Sequence, residues 1–189
     1  MTRVVLLAGP SGGGKSRLAR LVGATPLRLD DFYRDADHPG LPRAHGIIDW
    51  DHPATWDAAG AVEALAALVH QGRADVPVYS IAESRRTGRR EVAVTASGLV
   101  VAEGIFAVDL LPHARRAGLT VEPIYLDRSR TLVAALRLRR DLDKKRKPPT
   151  VLIRRGAALW RAQPGLRRRA LASGFRPMTM RQAIRHLEG

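Results

Sequence analysis

The 189-residue sequence contains no cysteine. Disulfides and thiolate-held metals are therefore excluded, and a reducing compartment suits the chain. Aromatic residues are scarce, at 5%, and no single-strand-binding module with its stacking rings is recognisable. Long apolar runs are missing too. None approaches the roughly 20 residues of a membrane helix, and no signal-type segment stands before the first strand. A cytoplasmic location is expected. Acidic residues are also few, 18 against 32 basic ones, for a net charge of +14. The deficit is local: residues 1–127 carry 14 basic and 15 acidic side chains, residues 128–189 carry 18 and 3. The last third thus faces a polyanion or forms a solvated basic surface. Charge alone does not separate nucleotide phosphates from nucleic acid. Internal repeats and low-complexity tracts are absent. What remains, 45% hydrophobic and 26% charged residues, is the composition of one globular domain with room for a small lid.

The most informative stretch is Gly9-Pro10-Ser11-Gly12-Gly13-Gly14-Lys15-Ser16. It fits the pattern G-x-x-x-x-G-K-[ST], directly after the apolar run Val4 to Ala8 and directly before Arg17-Leu18-Ala19-Arg20-Leu21. A buried strand, a glycine-rich turn and a helix start are predicted in that order. Glycines let successive backbone N–H groups converge on one anion, and the positive end of the helix faces the same point. Gly9 through Arg17 are the candidate ATP-binding residues. Lys15 would reach the β- and γ-phosphates, and the Ser16 hydroxyl would join a Mg²⁺ shell.

Downstream, Pro26 to Leu29 reads as a second strand ending in Asp30-Asp31-Phe32-Tyr33, and Asp37 to Trp50 as a loop. Pro53 suits the first position of a helix running through Val62, Leu65 and Val69 to Gly72. Val76 to Tyr79 is a short strand, Ser84 to Arg90 an exposed basic turn, and Glu91 to Thr95 a returning strand. Leu99 to Ala102 is a buried strand ending in Glu103-Gly104. Val108 to Arg116 is helical, and Val121 to Leu126 is another strand. Ser129 caps a helix into Lys144-Lys145-Arg146-Lys147, which Pro148-Pro149 stops, and Thr150 caps the next helix. Two short helices end the chain. Alternating strands and helices predict an α/β, three-layer P-loop NTPase fold with a mostly parallel sheet, plus a short basic helical lid at about 137–150.

Three features point from binding to phosphoryl transfer. Functional groups of parallel sheets collect at the carboxyl ends of strands, where Asp30 can orient an attacking hydroxyl, accept its proton and assist the metal. Asp31 is the weaker candidate, and either acid could instead cap a turn. Glu103, ending a buried strand, suits a second metal carboxylate, or is an ordinary strand-end acid. Arg137 and Arg140 share a helix face and could close over the γ-phosphate while excluding water, or be solvated.

In sequence order, Gly9–Ser16, Asp30-Asp31-Phe32-Tyr33, Asp51-His52-Pro53, Pro77-Val78-Tyr79, Glu103-Gly104-Ile105 and Arg137-Leu138-Arg139-Arg140-Asp141 resemble the uridine kinase branch of the P-loop kinases. That branch also includes phosphoribulokinase, and the resemblance covers about residues 3–147. It implies Asp30, Lys15, Arg137 and Arg140 as catalytic residues, with Mg²⁺ held around Ser16, Asp30 and Glu103. It also implies Asp51 on the acceptor's ribose hydroxyls, Tyr79 on its base, and Phe32 and Tyr33 in the same substrate pocket. From the residues alone, Asp51 could equally be a helix-start charge, and Tyr79 a core or edge ring. Where uridine kinases continue to a histidine after the tyrosine, this chain has Glu83 at the nearest equivalent position, so the base is left open. No convincing copy of the family's later strand and Pro-Arg-Gly segment follows Pro149; only Phe175-Arg176-Pro177 and a short helix do. The expected partners are ATP and a small hydroxyl-bearing substrate, a nucleoside first, with self-association open and no membrane. Rival readings are a nucleic-acid-associated P-loop NTPase, or a kinase of a pantothenate-like or sugar hydroxyl.

Overall fold

A computed structural model describes residues 2–44, 46–143 and 163–189, with the backbone alone for 137–143. The elements are β1 (Arg3–Ala8), α1 (Lys15–Leu21), β2 (Thr25–Arg28), β3 (Arg43–Ala44), β4 (Ile47–Ile48), α2 (Ala58–Gln71), β5 (Arg73–Ser80), β6 (Arg85–Ala93), β7 (Leu99–Glu103), α3 (Ala107–Arg116), β8 (Glu122–Leu126), α4 (Arg130–Asp143), α5 (described over 163–172), β9 (Arg176–Met178) and α6 (Met180–Glu188). The central sheet has the order β2-β7-β1-β8-β9, with every pair parallel.

β1 is apolar throughout because both of its faces are covered. Val4, Leu6 and Ala8 pack with Leu65 and Leu68 of α2 and Leu110 and Ala114 of α3. Val5 and Leu7 face the other way, onto Leu18 and Ala19 of α1 and Ala183 and Leu187 of α6. Helices therefore cover both faces of a parallel sheet, which is the three-layer α/β arrangement predicted.

Several local expectations are corrected. A strand does follow Pro149: β9 adds to β8, with Ile124, Tyr125 and Leu126 opposite Arg176, Pro177 and Met178. It has three residues, two of them exposed, so no apolar run announces it. Pro53 starts only a 3₁₀ turn, Pro53–Thr55. The long helix begins at Ala58 behind Asp57, whose carboxylate accepts from Gly60 N at 3.0 Å. The stretch read as a basic turn is the body of β6, paired antiparallel with β5 in a two-stranded ribbon outside the central sheet. The loop before Trp50 includes the small antiparallel pair β3–β4.

Part of the basic surplus is neutralised internally. Arg167 grips Asp127 at 3.0 Å, Arg169 grips Asp109 at 3.2 Å, and Arg176 grips Glu122 at 3.0 Å. Arginines of the last third thus fasten acids of the first two thirds. Among the described residues no helix is long and apolar enough to cross a membrane.

Asp57 joins α2 to the ribbon, because Arg86 Nη2 also bonds its carboxylate at 3.0 Å. Burial pushes the Asp57 carboxyl up, but the Gly60 amide and the Arg86 guanidinium outweigh it and hold it below the usual range. Asp57→Ala is expected to cost about 1–2 kcal/mol in urea unfolding. Asp57→Asn should cost less, since Asn caps equally well. The charge-dependent part is complete above the ordinary aspartate value and is lost as pH falls through the lowered folded value. Equal losses for both variants at pH 7 would assign the effect to the charge pair and not to the cap.

Candidate active site

β1 delivers the chain to Gly9 at the carboxyl edge of the sheet. Gly13 N donates to Pro10 O at 2.9 Å, and Leu18 N to Gly14 O at 2.9 Å, which opens α1. Gly14 sits at φ 95°, a left-handed value open to glycine at little cost. No side chain caps α1, which suits its amino end to an anion. Lys15 is only 8% exposed. Its Nζ donates to Gly9 O at 3.0 Å and Pro10 O at 3.2 Å, which lays a cation across the mouth of the loop.

The carboxylates meet beside that cation. Ser16 Oγ donates to Glu103 Oε1 at 2.6 Å, a charge-assisted bond. The next residue, Gly104, has no room for a side chain: a Cβ there would lie 2.8 Å from Leu29 Cβ and 3.2 Å from Asp30 Oδ1. Glycine therefore lets the end of β7 press against the turn that follows β2. Asp30 Oδ1 is buried and has no hydrogen-bond partner among the described residues. Burial, then the Glu103 charge, pushes the Asp30 carboxyl up; Lys15 and Arg28 oppose this only in part. A buried acceptor with no donor is uncommon and suits a cation or a hydroxyl. No cluster of three or more His, Asp or Glu suited to a metal occurs among the described residues. Mg²⁺ at a phosphate site needs only one or two carboxylates beside phosphate oxygens and water. Ser16, Glu103 and Asp30 meet that demand.

Asp31 has a structural task instead. It is 4% exposed and pairs with Arg90 at 3.2 Å and Arg28 at 3.9 Å. The ribbon is thereby tied to the turn that carries Asp30. Arg86 strengthens the tie, with its backbone N on Asp35 Oδ1 at 2.7 Å and its Nε on Tyr33 O at 3.2 Å.

The wall beyond Asp30 is aromatic. Tyr33 has Trp50, Tyr79 and Phe106 at centroid distances of 5.5, 5.4 and 5.4 Å, and Trp50 lies 6.3 Å from Tyr79. Tyr79 OH reaches Arg34 O at 3.5 Å, and its pKa is pushed up to about 12 by burial and then by Asp35. Tyr33 and Tyr79 thus stand together. Phe32 does not join them: at 2% exposure it is a core residue, packed with the helix side of the sheet, and the expectation of substrate contact is corrected. Asp51 is exposed directly after Trp50, Glu83 is exposed in the ribbon's turn, and Arg17 is exposed beside Ser16. Arg137 and Arg140 belong to the last turns of α4, but their side chains, like residues 144–150 of the expected lid, lie outside the described residues. Sequence reasoning missed Trp50 and Arg86. Trp50 had a signal, its place beside Asp51; Arg86 had none, since its partners lie 29 to 54 residues away.

No family model matches the chain. A uridine kinase from Tolumonas auensis is 30% identical over 154 residues, covering 75% of this chain and 69% of the relative. The chain belongs to the uridine kinase family. A uridine kinase from Schizosaccharomyces pombe is 31% identical over 149 residues, 75% of this chain but 32% of that protein, so the chain spans about a third of its length. A Haemophilus influenzae uridine kinase is 27% identical over 154 residues, covering 75% and 70%. A solved structure from Silicibacter sp. TM1040, of a protein assigned as a fructose transport system kinase, superposes with a TM-score of 0.56 at 21% identity, covering 94% of this chain and 88% of the other. At that identity it speaks for the fold alone. As a member of the uridine kinase family, the chain is an ATP-dependent phosphotransferase acting on a hydroxyl.

In this kinase the site is held at a cost to the fold. The folded chain holds a proton on Asp30 more tightly than the unfolded chain does, so ionised Asp30 destabilises once pH rises past the ordinary aspartate value. Asp30→Asn is therefore expected to raise Tm at pH 7 without ligands, with the gain shrinking toward acid pH. A fall in Tm at pH 7 would contradict this reading of Asp30.

Proposed function

We propose that this kinase transfers the γ-phosphate of ATP to the 5′-hydroxyl of a nucleoside, with uridine and cytidine first. The observation that carries the proposal is Asp30 Oδ1, unpartnered among the described residues, beside the Ser16–Glu103 bond and next to an aromatic wall. Within that wall Tyr33, three residues after Asp30, is partly exposed, and the buried Phe106, 1% exposed, backs it from the core. Planar rings suit a flat, apolar-faced acceptor such as a nucleobase.

In this reading Gly9 to Arg17 cradle the triphosphate, and Lys15 turns from the Gly9 and Pro10 carbonyls to the phosphates. Asp30 accepts the hydroxyl proton and aligns the attacking oxygen. Ser16, Glu103 and Asp30 hold Mg²⁺, which supplies charge neutralisation on the phosphoryl oxygens when bound. Asp51 receives the two ribose hydroxyls, Tyr33, Trp50 and Tyr79 bracket the base, and Glu83 lies at its far edge. Arg137 and Arg140 close over the γ-phosphate. The enzyme would work in the cytoplasm, where ATP is supplied. The internal pairing of Arg167, Arg169 and Arg176 supports a small-molecule acceptor over a nucleic acid strand.

A panel of nucleosides, pantothenate and sugars, assayed with Mg-ATP by ADP release, tests the acceptor class. A nucleoside is expected to be fastest, and a sugar or pantothenate turning over faster would overturn the choice. Asp30→Asn should lower kcat by roughly 10²–10⁴ while leaving ATP affinity within a few-fold. Asp51→Asn should cost roughly 10–100-fold in kcat/KM for a ribonucleoside, and much less for its 2′-deoxy analogue. Equal losses for the two would remove Asp51 from the ribose.

A further inference from the structure

The strand order dictates where the rest of the nucleotide can go. Asp30 follows β2 and Glu103 ends β7, and both strands lie on one side of β1; β8 and β9 lie on the other. If the terminal phosphate meets an acceptor beside Asp30, the nucleoside end of ATP must trail over the ends of β8 and β9. This step rests on the kinase reading above. At those ends stand Arg128, two residues after β8, and Met180, two residues after β9.

Both side chains lean on the phosphate loop. Arg128 Nε donates to Gly13 O at 3.3 Å. A Cβ on Gly14 would lie 3.0 Å from Met180 Cε and 3.7 Å from Arg128 Nη2. The two groups are held from behind. Gln163 Nε2 donates to Arg128 O at 3.0 Å, which fixes the arginine backbone from α5. Met180 opens α6 behind Thr179, whose side chain forms a full capping box with Gln182. The neighbouring acid does not neutralise Arg128, since Asp127 is engaged by Arg167 through Nε at 3.1 Å and Nη2 at 3.0 Å. Among the described residues Arg128 has no carboxylate partner. A planar, half-buried guanidinium and a thioether side by side form a surface suited to the face of an aromatic ring.

We infer that Arg128 and Met180 form the base clamp of this kinase and bind the purine ring of ATP by its face. Arg128 is then a specificity residue for the base and contributes little to the phosphates, which the loop and Lys15 hold.

Calorimetry on the full chain with Mg-ATP and, separately, Mg-tripolyphosphate tests this, because tripolyphosphate has the phosphates without the base. Arg128→Ala and Met180→Ala should each weaken ATP by roughly 5–30-fold and leave tripolyphosphate within twofold. Arg128→Lys keeps the charge but loses the flat face, and should lose ATP affinity as Arg128→Ala does. Equal losses for both ligands, no loss for either, or full ATP affinity in Arg128→Lys would each overturn the clamp. Lys15→Ala, run in parallel, should weaken both ligands. If the unaltered chain binds ATP normally and Lys15→Ala has no effect, the loop reading itself fails, and the clamp fails with it.

Discussion

The register of three parallel strands is the constraint on which the site depends. Glu103 stands opposite Leu7 of β1 on one side and opposite Arg28 of β2 on the other. Two residues beyond those partners come Gly9 and Asp30. The loop, the carboxylate of Glu103 and the carboxylate of Asp30 thus reach one level at the sheet's edge, with no long side chain having to search for its place. A slip of one residue in β7 would turn Glu103 into a helix layer and remove it from Ser16. Burial of Val100, Val101 and Ala102, all at 0% exposure, makes such a slip expensive.

That convergence is unfavourable in electrostatic terms. Two acids are drawn together at a partly dry edge, with Lys15 turned to backbone carbonyls and Asp30 Oδ1 without a donor among the described residues. The rest of the fold holds them there. Trp56 Nε1 bonds Leu29 O at 3.0 Å just before Asp30, and Arg90 fixes Asp31 just after it. Arg86 pins the following carbonyls and the cap of α2. The β5–β6 ribbon, which also carries Tyr79 and Glu83, is therefore joined to the transfer site through the backbone of residues 30–35. The ribbon and the strand-end carboxylates form one connected structure.

The glycine loop and the two strand-end acids beside it were legible because their signals are local. The glycine pattern lies between an apolar run and a helix start, and acids sit directly after apolar runs at Leu29 and Ala102. The parts that were not legible are held by distant contacts. β9 is a strand only because β8 is beside it, and β6, rich in arginine, looked like a turn because its outer face is solvated. Asp57 lost the helix start to Pro53, a stronger local signal that the chain spends on a single 3₁₀ turn. Phe32, two residues after Asp30, turns into the core, a distinction that the motif alone does not carry. Arg128 and Met180 are 52 residues apart in sequence, and only the pairing of β8 with β9 brings them to the same loop.

The central claim is that this strand-end cluster transfers phosphate to a hydroxyl and does not merely bind or hydrolyse ATP. The most direct measurement is a single-turnover, rapid-quench reaction with ATP labelled in its terminal phosphate, enzyme in excess, with and without uridine and with and without Mg²⁺. The account predicts label in the nucleoside monophosphate, only when both uridine and Mg²⁺ are present. Label released as inorganic phosphate at the same rate with and without the nucleoside would contradict it.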